Sequence, residues 1–391
     1  MNITLTSHAC NHVLRLAQGL QSQDILNKLY TIYPFFKLAH YHIEKEHIHS
    51  LRSIAAIIFL ARKSKITLPQ KTLSTLFDHA VAITVRLTNS RTDIIQGMSG
   101  YCLQTIRAAK QKGIKTIVDR ACPHIDFQLS LLDEEIEHLT GKKKWATAHS
   151  TLKEKMLAEY EEADSIIVPS TYSYNSFKTR GYSDDKLKIV PLMKEKNVAL
   201  SDKPFLRKHA KDFTVLAVGF NFYRKGFYYL LKSWNELNLP KAKLIIRSTI
   251  PPEFRSLLQH KSIISIDKHL SNQQLIELYH QCDIFCLPSI DEGFGMVALE
   301  AMAAAKPIIV TENVGMSDII THKKEGFVLP IRNIDAIKES ILTLYHDRDL
   351  TLQMGDAAYQ CEKKYSLERY IQTISTVYKK LIQPNAEKND V

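Results

Sequence analysis

Two carboxylates, Glu292 and Glu300, stand eight positions apart in the segment DEGFGMVALE, residues 291–300. Gly293 and Gly295 follow the first of them, and glycines let backbone amides approach a ligand closely. An apolar run that predicts a buried strand precedes the segment, and a helix is predicted to begin near its second glycine. The first amides of a helix are unpaired and carry partial positive charge, so this loop suits a phosphate.

The spacing of the two carboxylates matches an elongated ligand. Glu292 precedes the helix, whereas Glu300 lies more than one turn inside it, roughly 8 Å along the axis at ~1.5 Å per residue. Carboxylates accept hydrogen bonds from sugar hydroxyls. A nucleotide sugar carries hydroxyls at both ends and negative charge in the middle, so we expect one carboxylate to contact each end.

Positive charge for the middle of such a ligand occurs in VGFNFYRKGFYYLLKSW, residues 218–234. Gly219 ends a predicted strand, and Arg224, Lys225 and Gly226 open a helix. Arginine binds phosphate through paired N–H groups, and lysine binds it as a point charge. Each motif alone is common by chance. Together, each after a predicted strand, they can converge on one diphosphate at the same edge of a sheet.

The elements that must position these loops are short apolar strands alternating with helices such as 271–281 and 332–347. Continuous Ile, Val and Leu runs are typical of parallel strands that helices cover on both faces. This order predicts an α/β fold class with two doubly wound, Rossmann-like domains that face each other across a cleft. The predicted strands are 2–6, 28–33, 93–98, 115–120, 165–170 and 187–192, then 213–219, 243–248, 262–266, 283–288, 306–311 and 326–330.

A domain boundary is predicted in the polar, non-periodic stretch 193–212. The first domain is then 1–192 and the second 193–365. The last segment, 366–391, begins with a helix over 366–382 and ends in a polar tail that we expect to be disordered. Ligands of doubly wound sheets bind beyond the carboxyl ends of the strands, so we expect the chemistry in the cleft.

The composition is that of a soluble globular protein, with 391 residues, 45% hydrophobic and 24% charged. No apolar stretch reaches the roughly 18 residues of a membrane span, and the first residues do not resemble a secretory signal. The six cysteines form no CxxC pair, which favours free thiols in a reducing cytosol. They are Cys10, Cys102, Cys122, Cys282, Cys286 and Cys361.

The net charge of +11 favours acidic partners. Between residues 51 and 100, seven basic residues face only Asp78 and Asp93. Two interpretations stay open, a solvated helical face and a patch that associates with an anionic membrane. Nucleic-acid binding is disfavoured because no helix-turn-helix, zinc pattern or aromatic platform is present. A dehydrogenase is disfavoured because no GxGxxG follows the first strand.

These motifs carry a resemblance to a known family. The second half resembles the nucleotide-sugar-binding domain of retaining glycosyltransferase family 4, the glycosyl transferases group 1, which has the GT-B fold. The first half resembles a branch of the same family, although its motifs are less specific. The resemblance covers nearly the whole chain, least clearly 40–90 and 193–212. The segments that carry it are 218–234, 270–320 and 326–330, and in the first half 7–34, 100–125 and 157–191.

The resemblance implies roles for the matched positions. Glu292 would contact the hydroxyls of the transferred sugar and Glu300 the ribose, while Arg224 and Lys225 would neutralise the diphosphate. It also implies retention of anomeric configuration, no metal and no cofactor, and a last helix that crosses back onto the first domain. The residues that would bind the donor are Gly219, Gly293, Phe294, Gly295, Met296, Val297 and Glu300.

The chain departs from the family pattern at four places. Gly219-Phe220 stands where Gly-Arg is common, so Arg224 carries more of the phosphate role. Arg247-Ser248 and Ala305 stand where glycine is frequent. SHACNHV, residues 7–13, replaces a glycine-rich loop after the first strand.

In the first domain, the candidates are single residues after predicted strands. Many relatives have a histidine near a strand end that faces the donor sugar, and His124 is the matching catalytic candidate. Arg120 and His8 are candidates for the acceptor side. Structural roles in loops or caps stay open for the two histidines. The cluster His40, His42, His47 and His49 has poor metal-ligand spacing and favours a polar surface.

The resulting prediction is a glycosyltransferase that moves a sugar from a nucleotide-diphosphate sugar to a glycan or lipid-linked acceptor. We expect it in the cytoplasm, with membrane association as a second hypothesis, and in cell-surface polysaccharide or glycolipid synthesis. The alternative is a protein that binds nucleotide sugars without turnover. The sequence does not identify the sugar, the base or the acceptor.

Overall fold

The computed structural model describes residues 1–9, 12–64, 67–148, 150–193 and 212–383. The predicted boundary at 193–212 and the tail predicted to be disordered lie almost wholly outside the described residues.

The first domain is built on seven strands with helices between them. Its strands are β1 Ile3–Ser7, β2 Leu26–Thr31, β3 Ile48–Ser50, β4 Ile94–Met98, β5 Lys115–Asp119, β6 Ser165–Val168 and β7 Leu187–Ile189. Its helices are α1 His12–Gln21, α2 Phe35–Leu38, α3 Arg52–Lys63, α4 Gln70–Leu87, α5 Leu103–Lys110, α6 Ile125–Thr140, α7 Trp145–Ala148, α8 Lys153–Glu162 and α9 Thr171–Lys178, with 3₁₀ turns at Ala39–Tyr41 and Lys45–His47.

The second domain has six strands and a similar alternation. Its strands are β8 Phe213–Val218, β9 Ala242–Arg247, β10 Ile263–Ile266, β11 Ile284–Leu287, β12 Ile308–Thr311 and β13 Gly326–Leu329. Its helices are α10 Phe227–Leu237, α11 Asn272–Gln281, α12 Met296–Ala303, α13 Ile334–His346 and α14 Arg348–Glu362, with 3₁₀ turns at Pro252–Leu258 and Gly315–Asp318, and α15 Leu367–Ile382 follows.

Both sheets are parallel and doubly wound. Their strand orders are β3-β2-β1-β4-β5-β6-β7 and β10-β9-β8-β11-β12-β13. All twelve predicted strands are present, and the predicted fold class is confirmed. In each sheet the winding reverses beside the first strand, which places a ligand crevice at the carboxyl ends of β1 and β4 and of β8 and β11.

The central strands of the second sheet bury both faces, as their continuous apolar runs predict. Every residue of β8 is buried, and so is every residue of β11 and β12. The prediction missed β3, a three-residue edge strand of sequence IHS whose side chains are half-buried or exposed. A strand this short and polar lacks both the apolar run and the alternation that mark a strand.

The last helix, α15, lies against α1 of the first domain. A Cβ at Gly19 would lie 2.4 Å from the Ile371 side chain, so glycine permits the close approach. The Tyr378 hydroxyl donates to Gln96 Oε1 of β4 at 2.5 Å. The chain therefore returns from the second domain and buries an aromatic residue beside the first sheet.

The cysteines of the described residues are free thiols, as predicted; Cys10 lies outside them. None of the described helices is both long enough and apolar enough to cross a bilayer.

Candidate active site

The loop after β8 brings two cations to the carboxyl edge of the second sheet. Lys225 folds back over Gly219, where a Cβ would lie 2.7 Å from the lysine Cγ, so glycine leaves room for the side chain. Gly226 has φ 63°, and a Cβ there would lie 2.0 Å from the Pro288 carbonyl oxygen. The two glycines thus let the loop press against the segment that follows β11. The Ile290 amide donates to the Arg224 carbonyl at 2.9 Å and joins the two loops.

Glu292, Arg224 and Lys225 form one ion cluster. Arg224 Nη1 donates to Glu292 Oε2 at 2.9 Å, and Lys225 Nζ forms a very short contact with the same oxygen. Burial would raise the pKa of Glu292, but the two cations outweigh it and lower that pKa. Glu292 is therefore a carboxylate at neutral pH, held between two positive charges. The structure brings together three of the predicted residues.

The start of α12 lies next to this cluster in the chain. Gly295 precedes the helix with φ 101°, a left-handed conformation that suits glycine, and no side chain caps the first amides. Phe294 buries its ring in the core, so it can offer a ligand its backbone only. Glu292 exchanges backbone hydrogen bonds with Asn313 and Gly315, at 3.0 and 2.9 Å, which fixes the loop.

Glu300 belongs to a second polar group, one turn into α12. The buried Tyr279 hydroxyl donates to Glu300 Oε2 at 2.7 Å. Burial and then the nearby Glu300 carboxylate raise the pKa of Tyr279, so its proton stays in that bond. Arg247, which interacts electrostatically with Tyr279, lies 3.5 Å from the ring centroid of Phe220. Two departures from the family pattern, Phe220 and Arg247, are thus a cation–π pair.

Asp291, which the sequence analysis did not select, joins the two domains. It is fully buried, and its carboxylate accepts from Tyr172 at 2.9 Å and from Gln128 Nε2 at 2.5 Å, both in the first domain. Arg120 Nη2 in turn donates to Gln128 Oε1 at 2.9 Å. Burial raises the pKa of Asp291 despite these hydrogen bonds. An aspartate in a polar loop looks like a surface residue in the sequence, because its partners lie in the other domain.

Gly293 lies at a close contact between the two domains. A Cβ there would lie 2.1 Å from the Ala121 carbonyl oxygen. The Gly293 carbonyl accepts from the Ser170 and Ser173 hydroxyls, at 2.7 and 3.3 Å. The loop before α12 therefore touches the loops after β5 and β6, which places the ion cluster at the cleft between the domains.

His124 lies at the start of α6 and caps it. Its Nδ1 accepts from the Asp126 amide at 3.2 Å, and its ring packs against Phe177 and Tyr160, with centroids 4.9 and 5.3 Å away. Burial, aided by the nearby Arg180, lowers the pKa of His124 to about 4. This geometry favours a capping role, and the catalytic role of His124 stays a prediction.

The two acceptor-side candidates, Arg120 and His8, differ in whether their side-chain nitrogens have hydrogen-bond partners. Arg120 is buried, and its Nε donates to the Pro123 carbonyl at 3.0 Å. His8 stacks on Tyr101 with ring centroids 3.4 Å apart. Burial lowers the pKa of His8 to about 4. Its Nδ1 is buried and has no hydrogen-bond partner among the described residues, at the carboxyl end of β1.

A buried polar network behind the first-domain loops was also missed. His12 Nε2 lies 2.8 Å from Asp119 Oδ2, and Gln96 Nε2 donates to the same oxygen at 2.9 Å. Tyr378 of α15 donates to Gln96, which ties the last helix to the strand ends. The position of Asp119 at a strand end was the available signal.

Within the described ranges, one group of side chains could share a metal ion. It consists of Glu44, Glu46 and His47, on a surface turn in which both glutamates are exposed. Only His47 comes from the histidine cluster noted in the sequence. Exposed acidic groups of this kind are common without an ion, and the group carries no role here.

Comparison with known proteins finds similarity to one family in the second half of the chain. Residues 200–361 match the family model described as glycosyl transferases group 1. A 165-residue segment is 31% identical to an uncharacterized glycosyltransferase of Haemophilus influenzae and covers 41% of this chain and 47% of that protein. A 174-residue segment is 26% identical to the capsular polysaccharide biosynthesis glycosyltransferase CapM of Staphylococcus aureus and covers 42% and 45%. The chain thus spans about half the length of these curated relatives.

Solved structures share the fold over almost the whole chain. A sucrose-phosphate synthase from Thermosynechococcus elongatus has a TM-score of 0.71 at 14% identity, covering 97% of this chain and 99% of its own. Anabaena HepE, solved in complex with UDP and glucose, has a TM-score of 0.67 at 16% identity, with the same coverage. The chain therefore has a GT-B fold, and its residues 200–361 match the family model of the glycosyl transferases group 1.

Proposed function

We propose that the protein transfers a sugar from a nucleotide-diphosphate sugar to an acceptor hydroxyl with retention of anomeric configuration. The observation that carries this proposal is the ion cluster of Glu292, Arg224 and Lys225 beside the start of α12. The family assignment supports a transferase, and the UDP and glucose in the HepE structure support such a donor for this fold.

The transfer reaction needs positive charge beside the leaving diphosphate, and the ion cluster supplies it. The bond between the anomeric carbon and the diphosphate oxygen breaks, and its electron pair leaves with the nucleoside diphosphate. The acceptor oxygen forms the new bond at the anomeric carbon and releases one proton. Lys225, Arg224 and the amides that begin α12 stabilise the charge that grows on the leaving diphosphate. Glu292 keeps both cations in place before the donor arrives.

The nucleoside end of the donor fits the second polar group. Tyr279 orients the Glu300 carboxylate through its hydroxyl, and a carboxylate can accept several hydrogen bonds, including those of ribose hydroxyls. Phe220 is exposed and braced by Arg247, and it offers a flat apolar edge to a base. This arrangement replaces the Gly-Arg that relatives often carry after the first strand of this domain.

The acceptor side is assigned to the first domain, where His8 follows β1 and stacks on Tyr101. The likeness to CapM, a capsular polysaccharide biosynthesis glycosyltransferase, supports a role in cell-surface polysaccharide synthesis. A glycan or lipid-linked acceptor, and glycolipid synthesis as the other pathway, are part of the proposal. We further propose that the protein works in the cytoplasm at the inner face of the membrane, through the basic part of the first domain.

A panel of nucleotide sugars tests the proposal. Donors that raise the melting temperature are then incubated without acceptor, and release of nucleoside diphosphate is followed. Slow release that persists in chelator supports a metal-independent transferase, and NMR of the product with an acceptor reports the anomeric configuration. Binding of a donor with no release under any condition would favour the alternative, a nucleotide-sugar-binding protein. Loss of release in chelator would contradict metal independence.

A further inference from the structure

Helix α3 exposes apolar side chains on the side that faces away from the core of the first domain. Ile57, Phe59 and Leu60 are 43%, 66% and 59% exposed, while Leu51 and Ile54 face the core. A surface helix in a globular protein normally turns a polar face outward. The outward face of α3 is therefore unusual, and its sequence IAAIIFLA is apolar on both sides.

Two more exposed aromatic residues share a cavity with the first residue of this helix. Phe35 and Phe36 of α2 are exposed, and a cavity of about 610 Å³ is lined by both of them and by Arg52, the first residue of α3. Lys45 and His49 line the same cavity. We call the five side chains Phe35, Phe36, Ile57, Phe59 and Leu60 the docking face. An exposed apolar patch of this kind marks an interaction surface.

Basic residues stand at both ends of α3 and at the cavity. Arg52 and Lys63 are exposed at the two ends of α3, and Lys45 lies at the cavity. The two acids between residues 51 and 100 are engaged elsewhere. Asp78 is fully buried and pairs with Lys155 at 2.8 Å, and Asp93 accepts from the Asn2 amide at 2.7 Å. Two exposed acids, Glu44 and Glu46, flank Lys45 in the chain, so the positive field comes mainly from α3.

We propose that the docking face inserts into the surface of an anionic lipid bilayer, with Arg52 and Lys63 contacting lipid phosphates. An apolar helix face flanked by basic residues has the chemistry of an interfacial helix. The charge pattern favours lipid over a second copy of this chain, because two such faces would bring their basic residues together. The inference deepens the membrane association proposed above by naming its surface, and it rests on that proposal.

The test is sedimentation of the full chain with vesicles. Wild-type protein should bind mixed phosphatidylcholine and phosphatidylglycerol vesicles, and bind pure phosphatidylcholine vesicles more weakly. The double variant Phe59→Ser, Leu60→Ser should lose binding at least about tenfold, because two large apolar groups no longer insert. Arg52→Glu with Lys63→Glu should weaken binding to the anionic vesicles only. Melting temperatures of both variants verify that they fold.

Matched controls come from the second domain. Ile264→Ser removes a side chain that is 44% exposed on β10, and Lys261→Glu with Lys268→Glu reverses two exposed charges. Both controls should bind vesicles like wild type. Equal binding by the Phe59→Ser, Leu60→Ser variant, equal binding to both kinds of vesicle, or no binding by wild type would overturn the inference. So would a wild-type dimer that the double variant dissociates while its vesicle binding is unchanged.

The outcome is separable from the proposed activity. Release of nucleoside diphosphate without vesicles should be the same in wild type and in the docking-face variants, because none of these residues lies in the ion cluster. Donor turnover without vesicle binding would contradict the role of the docking face and leave the proposed transferase activity supported. Vesicle binding without donor turnover would do the reverse.

Discussion

The loops that meet at the cleft use their charged residues differently in the two domains. After β8 and β11, the side chains of Arg224 and Lys225 both point at one carboxylate, Glu292. After β5, Arg120 and His124 are used within their own surroundings: one donates to the Pro123 carbonyl, and the other caps α6. A polar residue that follows a buried strand is therefore weak evidence for a catalytic site unless a residue of opposite charge pairs with it.

The largest expected effect is on the second-domain side of this comparison. Lys225→Ala removes the most buried cation of the cluster and leaves Glu292 with Arg224 only. We expect kcat/KM to fall by roughly 10²–10³, the usual result of removing one group that stabilises developing charge. Initial rates of nucleoside diphosphate release measure it, with Lys232→Ala on α10 as the control. Activity close to wild type in Lys225→Ala would contradict the role given to the cluster.

The second effect concerns the stability of the first-domain loops. Glu159 of α8 accepts from the backbone amides of Cys102, at 2.8 Å, and of Gly100, and so holds the segment that carries Tyr101 beneath His8. Burial outweighs these hydrogen bonds and raises the pKa of Glu159 from 4.5 to about 7.

The direction of the pH dependence of stability follows from the protons that Glu159 binds in the folded and unfolded states. Between these two pKa values the folded protein keeps a proton that the unfolded chain releases, so this contribution to stability is full below pH 4.5 and is lost as the pH rises through 7. The contribution is roughly 3 kcal/mol at most. Urea unfolding at several pH values should show stability falling across this window, and Glu159→Gln should flatten that part of the curve. If stability fell with pH as steeply in the variant as in wild type, Glu159 would not be the group responsible.

The contrast also explains what could be predicted from the sequence. The twelve predicted strands and the doubly wound fold class follow from apolar runs and their alternation with helices, which are local properties. The meeting of Arg224 and Lys225 with Glu292 was predictable because parallel strands bring their following loops to one edge. Asp291 was not, since its partners Gln128 and Tyr172 belong to the other domain, and no local pattern encodes contacts made by domain closure.

Asp291 offers a test of how far the two sides depend on each other. In Asp291→Asn, one carboxylate oxygen becomes an amide donor that faces Tyr172 or Gln128, so one hydrogen bond across the domains is lost. We expect kcat/KM to fall about tenfold, the cost of roughly one unmade buried hydrogen bond. The residue acts through the position of Glu292, so kcat should fall more than KM rises.

Tyr172→Phe is the matched variant for this link. It removes one donor and leaves the Gln128 hydrogen bond, so its effect on kcat should be smaller than that of Asp291→Asn. If both variants kept wild-type kcat and only lowered the melting temperature, Asp291 would be a purely structural link between the domains.

The smallest expected effect is on the first-domain side. His124→Ala removes the cap of α6 and should lower stability by about 1 kcal/mol, whereas His124→Asn can restore the acceptor that the Asp126 amide needs. If His124 serves as a cap, both variants should keep the rate of nucleoside diphosphate release per folded molecule, and asparagine should recover part of the lost stability. If the histidine instead faces the donor sugar, both variants should lose activity alike, because asparagine rescues a cap but cannot replace an imidazole at the reacting sugar. The contrast between the two domains holds only if these variants separate stability from rate, so urea unfolding and initial rates must be measured on the same preparations.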